Sequence, residues 1–323
     1  MKTTALVLFL AVALVLARGE SSAQSYPNKP IKFVVGSQAG GGTDIIARLV
    51  GQKLAEQVDQ PVIVENKPGA DGIIATEFVA KSGPDGYTLI AGTDGSMVVA
   101  TSLYARQSYD PVRDFVPITL FAVAPLVFAV HPAFPPKSID ELIALARAKP
   151  GELFYASGAP QFYVATELFK KQAGVNMVHV PFKGSGPAIN AVASGQLPIV
   201  VTSMPSAWAQ LRASSVRGLA VISPKRYALM PDIPTMAESG LANLELVPWT
   251  GLFAPAGTPS PIIDKLYSEL AIVFKSDSLK ERFATLGYET SRTGMPPADF
   301  GAFHRAEVAK WTKVVRDFNI RVE

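Results

Sequence analysis

Cysteine is absent from the 323-residue chain and histidine occurs only three times. The first absence excludes disulfides, thiolate-ligated zinc, iron–sulfur clusters and thiol nucleophiles. His131, His179 and His304 are scattered, with no H-E-x-x-H or comparable spacing, so no metal site is expected. Runs of basic residues are also missing. Thirty Lys and Arg against 27 Asp and Glu leave a net charge of +3. A nucleic-acid groove would show clustered cations, so no nucleic-acid partner is expected. There is no G-x-S-x-G elbow; in Gly184-Ser185-Gly186 the glycines flank the serine directly. No acid–base pair stands out among the carboxylates. These gaps argue against an enzyme and against a bound cofactor. What remains is a chain that is 48% hydrophobic and 18% charged, rich enough to bury a large core.

The N-terminus carries Lys2, then an apolar stretch from Ala5 to Ala17, then Ser21-Ser22-Ala23. Thirteen apolar residues fall short of the ~20 that a spanning helix needs. One positive charge, a short apolar core and a small-x-small end predict a secretory signal peptide over 1–23, cleaved after about Ala23. The expected mature chain is exported, soluble and free of disulfides. It would hold 28 basic and 26 acidic residues.

Beyond the leader, strands and helices alternate. Ile31–Val35, Pro61–Glu65 and Tyr87–Ala91 read as strands, with helices over 44–58 and 73–80. Ser138 and Glu141 form a capping box at the start of a helix that Pro150-Gly151 ends. Strands follow near 153–156, 177–180, 197–201 and 216–222, separated by further helices. The alternation predicts α/β blocks at roughly 24–120 and 130–240 with right-handed parallel crossovers. Two apolar segments, Ile118–Val130 and Leu246–Ala254, read as strands passing between lobes. Helices near 259–275, 278–286 and 297–317 would pack on the first lobe or brace both. The expected fold is a two-lobed periplasmic binding protein of type II, with two interlobe crossovers. Its domains would be a signal peptide 1–23, lobe 1 at 24–120 plus 250–323, and lobe 2 at 121–249. Hinges would lie near 118–130 and 246–254.

Three loops carry candidate chemistry. Gly36-Ser37-Gln38-Ala39-Gly40-Gly41-Gly42-Thr43-Asp44 joins the first strand to the first helix. Ligands of open α/β sheets bind at the carboxyl ends of strands. Glycines allow close backbone approach, and a helix start presents N–H groups and a positive dipole end. Thr43 or Asp44 can cap that helix. The loop fails G-x-G-x-x-G, because Ile45 stands three after Gly42, and it lacks the G-K-[ST] of a P-loop. A tight strand–helix turn is the plainer reading. Ser157-Gly158-Ala159-Pro160-Gln161-Phe162-Tyr163 occupies the same position in the second lobe, and would face the first loop across a cleft. Lys183-Gly184-Ser185-Gly186 is the third loop, or an ordinary turn with a surface lysine.

An ordered set of segments then resembles one known family. It comprises Tyr26-Pro27-Asn28-Lys29-Pro30-Ile31, Gly40-Gly41-Gly42-Thr43-Asp44-Ile45-Ile46-Ala47-Arg48, and Val64-Glu65-Asn66-Lys67-Pro68-Gly69-Ala70-Asp71-Gly72. Pro84–Leu89, Val180–Gly184, Arg217–Val221, Pro231–Gly240 and Trp249–Pro259 continue it over nearly the whole mature chain. The chain resembles the Bug family, the TctC-like extracytoplasmic solute receptors of tripartite tricarboxylate transport systems. The resemblance implies a receptor whose lobes close on a small organic carboxylate and hand it to membrane transporter subunits. It implies ligand contacts at Ala39, Gly40, Gly41, Thr43 and Asp44, and at Ser157, Gly158, Ala159 and Tyr163. Thr93, Lys183, Thr202 and Ser203 would complete the wall. No cofactor is implied, and a monomer is expected.

The chain departs from the family pattern. Ala39 stands where the family often has proline. Pro160 replaces a frequent second glycine, and Tyr163 a frequent histidine. Pro160 has no N–H, while Phe162 and Tyr163 bring rings and one hydroxyl. A monocarboxylate or dicarboxylate with an apolar or aromatic body is therefore expected rather than citrate, unless both rings are simply buried helix residues. Two other readings stay open here: a ligand sensor for a signalling system, and a binder of neutral or zwitterionic ring compounds.

Overall fold

A computed structural model describes residues 26–104, 108–241, 244 and 247–320. The expected leader, its cleavage point at Ala23, and Leu246 lie outside the described residues.

The first block contains β1 (Ile31–Val35), α1 (Gly42–Val58), β2 (Val62–Asn66), α2 (Ile73–Ala80) and β3 (Thr88–Thr93). Strand β1 pairs in parallel with β2 and β3, the geometry that helical crossovers impose. A π-helical turn, Gly95–Val99, then leads into the short α3 (Ala100–Leu103). Nothing in the sequence pattern announced that turn. Two strands follow, β4 (Phe115–Val123) and β5 (Leu126–Val130).

The second block contains α4 (Ile139–Ala148), β6 (Phe154–Ser157), α5 (Pro160–Ala173), β7 (Val178–Pro181), α6 (Ser185–Ala193), β8 (Ile199–Ser203), α7 (Met204–Arg212) and β9 (Arg217–Ile222). Ser138 caps α4, accepting from the Glu141 N–H at 3.2 Å. The Glu141 carboxylate answers to the Lys137 N–H, one residue earlier than a strict capping box. The chain closes with β10 (Trp249–Pro255), α8 (Ser260–Val273), α9 (Asp277–Thr285) and α10 (Pro297–Asp317).

Two five-stranded sheets result, ordered β2-β1-β3-β10-β4 and β7-β6-β8-β5-β9. The orders correspond strand for strand: each sheet has three parallel strands, then an antiparallel strand, then an edge. The apolar segment 118–130 is two strands rather than one. It breaks at Ala124-Pro125, and β4 and β5 belong to different sheets. The return segment is a single strand, β10, which lies wholly in the first sheet beside β4.

Apolar burial follows this plan. One cluster, with Phe33, Phe121, Leu266 and Phe283, serves the first sheet alone. Another, with Val127, Val200, Met204 and Tyr227, serves the second alone. The third runs between sheets, joining Phe253 and Phe300 to Phe128, Phe162 and Phe169. Helix α10 seats on β10 through Phe300; a Cβ at Gly251 would overlap that ring. Farther along, Lys171 of α5 approaches the Phe318 ring, 5.9 Å from its centroid. The C-terminal segment thus touches both blocks.

Candidate functional site

Each sheet sends three loops from the carboxyl ends of its parallel strands. In the first these begin after Val35, Asn66 and Thr93; in the second, after Ser157, Pro181 and Ser203. In both, the first two loops meet backbone to backbone. A Cβ on Gly36 would stand 2.6 Å from the Gly72 Cα, and a Cβ on Gly158 would overlap the carbonyl of Gly184. No side chain fits at either contact, which is the physical reason for glycine there. Gly72 in turn lies against Ser96, in the third loop of the first sheet.

The first loop is held by Asp44. Its carboxylate is only 2% exposed. It accepts from the Gly40 N–H at 2.9 Å, from Arg48 Nε at 3.0 Å and from Asn66 Nδ2 at 2.8 Å. Asn66 Nδ2 also donates to the Ser37 carbonyl at 3.0 Å. Burial raises the Asp44 pKa, but the hydrogen bonds from Arg48, Gly40 and Asn66 outweigh it and hold the group ionised. The expectation that Thr43 or Asp44 caps α1 is corrected. The N-cap is Gly41, with no side-chain cap, and Asp44 turns back to the loop instead. The first-turn amides of α1 have no intrahelical acceptor and no capping oxygen. Ala39 and Gly40 are exposed, while Gly41 and Thr43 are half-buried.

The second loop is held by rings. Ser157 Oγ lies 2.8 Å from His179 Nε2, and the His179 ring lies between Tyr155 and Tyr163. Helix α5 begins at an uncapped Ala159 with Pro160 in its first turn. The Phe162 and Tyr163 amides both reach back to the Ala159 carbonyl, at 3.1 and 3.3 Å. The Tyr163 bond is the ordinary first helical bond, as Ile45 to Gly41 is in α1, so it is Pro160 and the Phe162 amide that leave this helix start fewer open donors. Phe162 is buried in the shared apolar cluster, so the plain core reading holds for it; Tyr163 is half-buried against His179.

The remaining predicted residues are spread along the rims. Thr93 Oγ1 accepts from the Ser96 N–H at 3.3 Å. Thr202 is fully buried and its hydroxyl has no partner among the described residues. Ser203 Oγ pairs with Ser206 Oγ at 2.9 Å. Lys183 is exposed.

Sequence reasoning missed the residues at the seam between blocks. Gln161, 6% exposed, packs on Gly95, and its Nε2 lies 3.4 Å from Asp94 Oδ1. Its Oε1 is buried without a partner among the described residues, as is Ser37 Oγ in the first loop. Buried polar atoms of this kind are normally satisfied by water or ligand. Burial pushes the Asp94 carboxyl up to about 8, the Glu307 charge adding to the effect, so the acid is largely protonated at neutral pH. A polar pair beside a π-helical turn is a recognisable signal once the turn is seen; the sequence alone shows only an unremarkable Thr-Asp-Gly. Among the described residues no group of His, Asp and Glu could hold a metal, and no helix is long and apolar enough to cross a membrane. Two surface depressions, at His131–Pro135 with Pro198 and at Lys53–Gln57 with Ile272, each of about 240 Å3, involve none of these loops.

Comparison with known proteins places this arrangement. Protein BugT of Bordetella pertussis is 34% identical over 98% of this chain and 97% of its own. A UPF0065 protein from the tcbD-tcbE intergenic region of Pseudomonas sp. strain P51 is 33% identical over 96% and 93%. Among solved structures, a protein of R. palustris with adipate superposes with a TM-score of 0.87 at 35% identity, covering 92% of this chain and 100% of that one. MatC from Rhodopseudomonas palustris with bound malate gives 0.84 at 32%, covering 90% and 100%. The periplasmic binding protein BugD gives 0.85 at 31%, covering 92% and 100%. The two corresponding sheets and the double crossover are thus those of a periplasmic binding protein. The profile described as the tripartite tricarboxylate transporter family receptor matches residues 46–320, and the chain belongs to that family of periplasmic solute receptors.

Proposed function

We propose that this chain captures a small organic carboxylate between its two sets of loops and delivers it to the membrane subunits of a tripartite tricarboxylate transporter. The observation that carries the reading is the start of α1. Its first-turn amides are uncapped, and the acid that would repel an anion, Asp44, has its oxygens bound by Gly40, Arg48 and Asn66. Such a helix start offers preorganised donors and a positive dipole end to a carboxylate. Each charge-assisted hydrogen bond there is worth ~1.5–3 kcal/mol. Ala39, Gly40, Gly41 and Thr43 line this half, with Asp44 positioning it. Ser157, Gly158, Ala159, Tyr163 and Lys183 line the other, with Thr93, Thr202 and Ser203 between. The neighbours solved with adipate and malate support a carboxylate ligand.

The leader 1–23 is removed after about Ala23 in this reading, and the mature protein works in the periplasm as a monomer. Lobe 1 is 24–120 with 250–323, and lobe 2 is 121–249. They close about hinges near 118–130 and 246–254, the first centred on the Ala124-Pro125 break and the second just ahead of β10, burying the ligand and creating the surface a transporter reads. Tyr163, packed at a tilt against His179, gives the second half an aromatic side that favours an acid with an apolar or aromatic body over citrate.

Native mass spectrometry of freshly purified protein, followed by melting-temperature shifts with aliphatic, aromatic and tricarboxylic acids, tests this. A retained organic acid and stabilisation by adipate-like or aromatic acids are expected. Stabilisation by citrate alone overturns the ligand class, and stabilisation by no acid overturns the carboxylate reading.

A further inference from the structure

The second half of the site lacks what the first half has. Pro160 brings no N–H, and the Phe162 amide is spent on the Ala159 carbonyl; Tyr163 makes only the first helical bond that Ile45 makes in α1. A side-chain donor has to make up the difference, and Ser157 stands at the right place. It ends β6 and is 2% exposed, and its Oγ lies 2.8 Å from His179 Nε2.

His179 is held in place. It stands opposite Tyr155 in the β6–β7 register. Its ring centroid is 5.0 Å from that of Tyr155 at 30°, and 4.9 Å from that of Tyr163 at 42°. The charged groups that face it both sit on α5. Glu167 accepts from the Tyr155 hydroxyl at 3.0 Å and from Lys170 Nζ at 2.8 Å, so it is already paired. Burial lowers the His179 pKa, with Glu167 opposing and Lys170 reinforcing. The ring is neutral at pH 7 and carries a single N–H.

A neutral imidazole and a hydroxyl can share one hydrogen bond in two ways. In the first, the serine proton goes to Nε2, and Ser157 shows the cleft only lone pairs. In the second, Nε2–H donates to Ser157 Oγ, and the hydroxyl proton is left to point at a ligand. A carboxylate has acceptors only, so it is served by the second arrangement alone. We propose that His179 is a positioning residue that keeps its proton on Nε2, donates to Ser157 Oγ, and thereby aims the Ser157 hydroxyl at the ligand carboxylate. This rests on the carboxylate reading of the site. It makes the Ser157–His179 pair a determinant of ligand class: the reverse arrangement would select a ligand with a donor in that position.

Two measurements test it. The first is 15N NMR of the histidine rings in the whole mature protein at pH 7. Only three histidines are present, and the His179 signal is the one lost in His179→Phe. A proton on Nε2 is expected; a proton on Nδ1 with Nε2 bare overturns the proposal. The second is calorimetric binding of adipate and malate in a double-mutant cycle. Ser157→Ala and His179→Phe should each weaken binding about ten- to a hundredfold, the worth of one charge-assisted hydrogen bond. The double variant should bind no more weakly than Ser157→Ala alone, and His179→Gln, which keeps an amide donor, should recover most of the loss. Additive losses overturn the proposal, because His179 would then not act through Ser157. Should His179→Phe fail to fold, His179→Gln and the ring-nitrogen measurement decide. The two possible failures are distinct. Wild type that binds neither acid while Nε2 carries the proton overturns the carboxylate reading, and with it the aim given to Ser157. An Nδ1–H ring in a protein that binds the acids overturns the pair alone.

Discussion

The loop after β1 and the loop after β6 occupy the same place in two sheets of the same strand order, yet they are built differently. The first is braced by charge: one buried carboxylate gathers Gly40, Arg48 and Asn66 and leaves the α1 amides open. The second is braced by rings, with His179 between Tyr155 and Tyr163, and its helix amides are partly consumed. In the proposed reading the difference separates two tasks. A main-chain cradle would recognise any carboxylate, because every residue but proline supplies the same N–H. A side-chain cradle would discriminate, because its donors depend on which residues are present and how they are oriented.

The shared feature of the two loops is the easiest to break. Gly158→Ala should have the largest effect, because its Cβ would overlap the main chain of Gly184, which cannot yield like a flexible side chain. Overpacking of this kind costs ~1–3 kcal/mol or more; both a lowered melting temperature and loss of calorimetrically detectable acid binding are expected. Unchanged binding would show that the loops after β6 and β7 need not touch.

Asp44→Ala comes next. It strands the Gly40 N–H and Asn66, while Arg48 is half-exposed and can turn to water. A stability loss of about 2 kcal/mol in urea unfolding is expected, with weaker acid binding. Because the folded-state pKa of Asp44 is lowered, its contribution is present above the ordinary carboxylate pKa and is lost as pH falls through the folded value. Asp44→Ala should therefore remove part of the acid sensitivity of the melting temperature.

Asp94, at the seam where Gln161 reaches across, has the opposite sign. Its folded pKa is raised to about 8, so the folded state holds a proton that the unfolded state has released. Stability from this group is full below the ordinary carboxylate pKa and declines as pH rises towards 8. Asp94→Asn should flatten the melting temperature between pH 5 and 8 and raise it at pH 8. An unaltered pH profile would show that Asp94 ionises without cost.

The smallest effect serves as the control for Gly158. Gly186 lies in the first turn of α6, and a Cβ there meets nothing within 4 Å. Gly186→Ala should stabilise by about 0.5–1 kcal/mol, the ordinary helix-propensity gain, and leave binding intact. A loss of binding would place α6 closer to the ligand than the second loop's rings imply.

Much of the scaffold was legible in the residues themselves. Ile31–Val35 matches β1, the helix read at 73–80 is α2, and the Ser138 cap forms as the sequence signals. These features depend on neighbours a few positions apart, and periodicity and capping report such neighbours directly. The break at Ala124-Pro125 was not legible, because an apolar run from Ile118 to Val130 has the same pattern whether it serves one sheet or two. The uncapped start of α1 was misread for a related reason. Asp44 has the chemistry of a cap, but Asn66, from the next strand, and Arg48, a turn further on, draw it elsewhere.

By itself the sequence determined the alternation of strands and helices and the absence of thiol or clustered-histidine chemistry, and its ordered segments carried the resemblance to the family. The first two follow from residue types and local spacing, the resemblance from the order of segments along nearly the whole chain. Only the tertiary structure decided that Gly36 meets Gly72 and Gly158 meets Gly184, that Gln161 meets Asp94, and that His179 stands behind Ser157. Those contacts join residues far apart along the chain. Their energies come from strand register and close packing, and no local pattern records them.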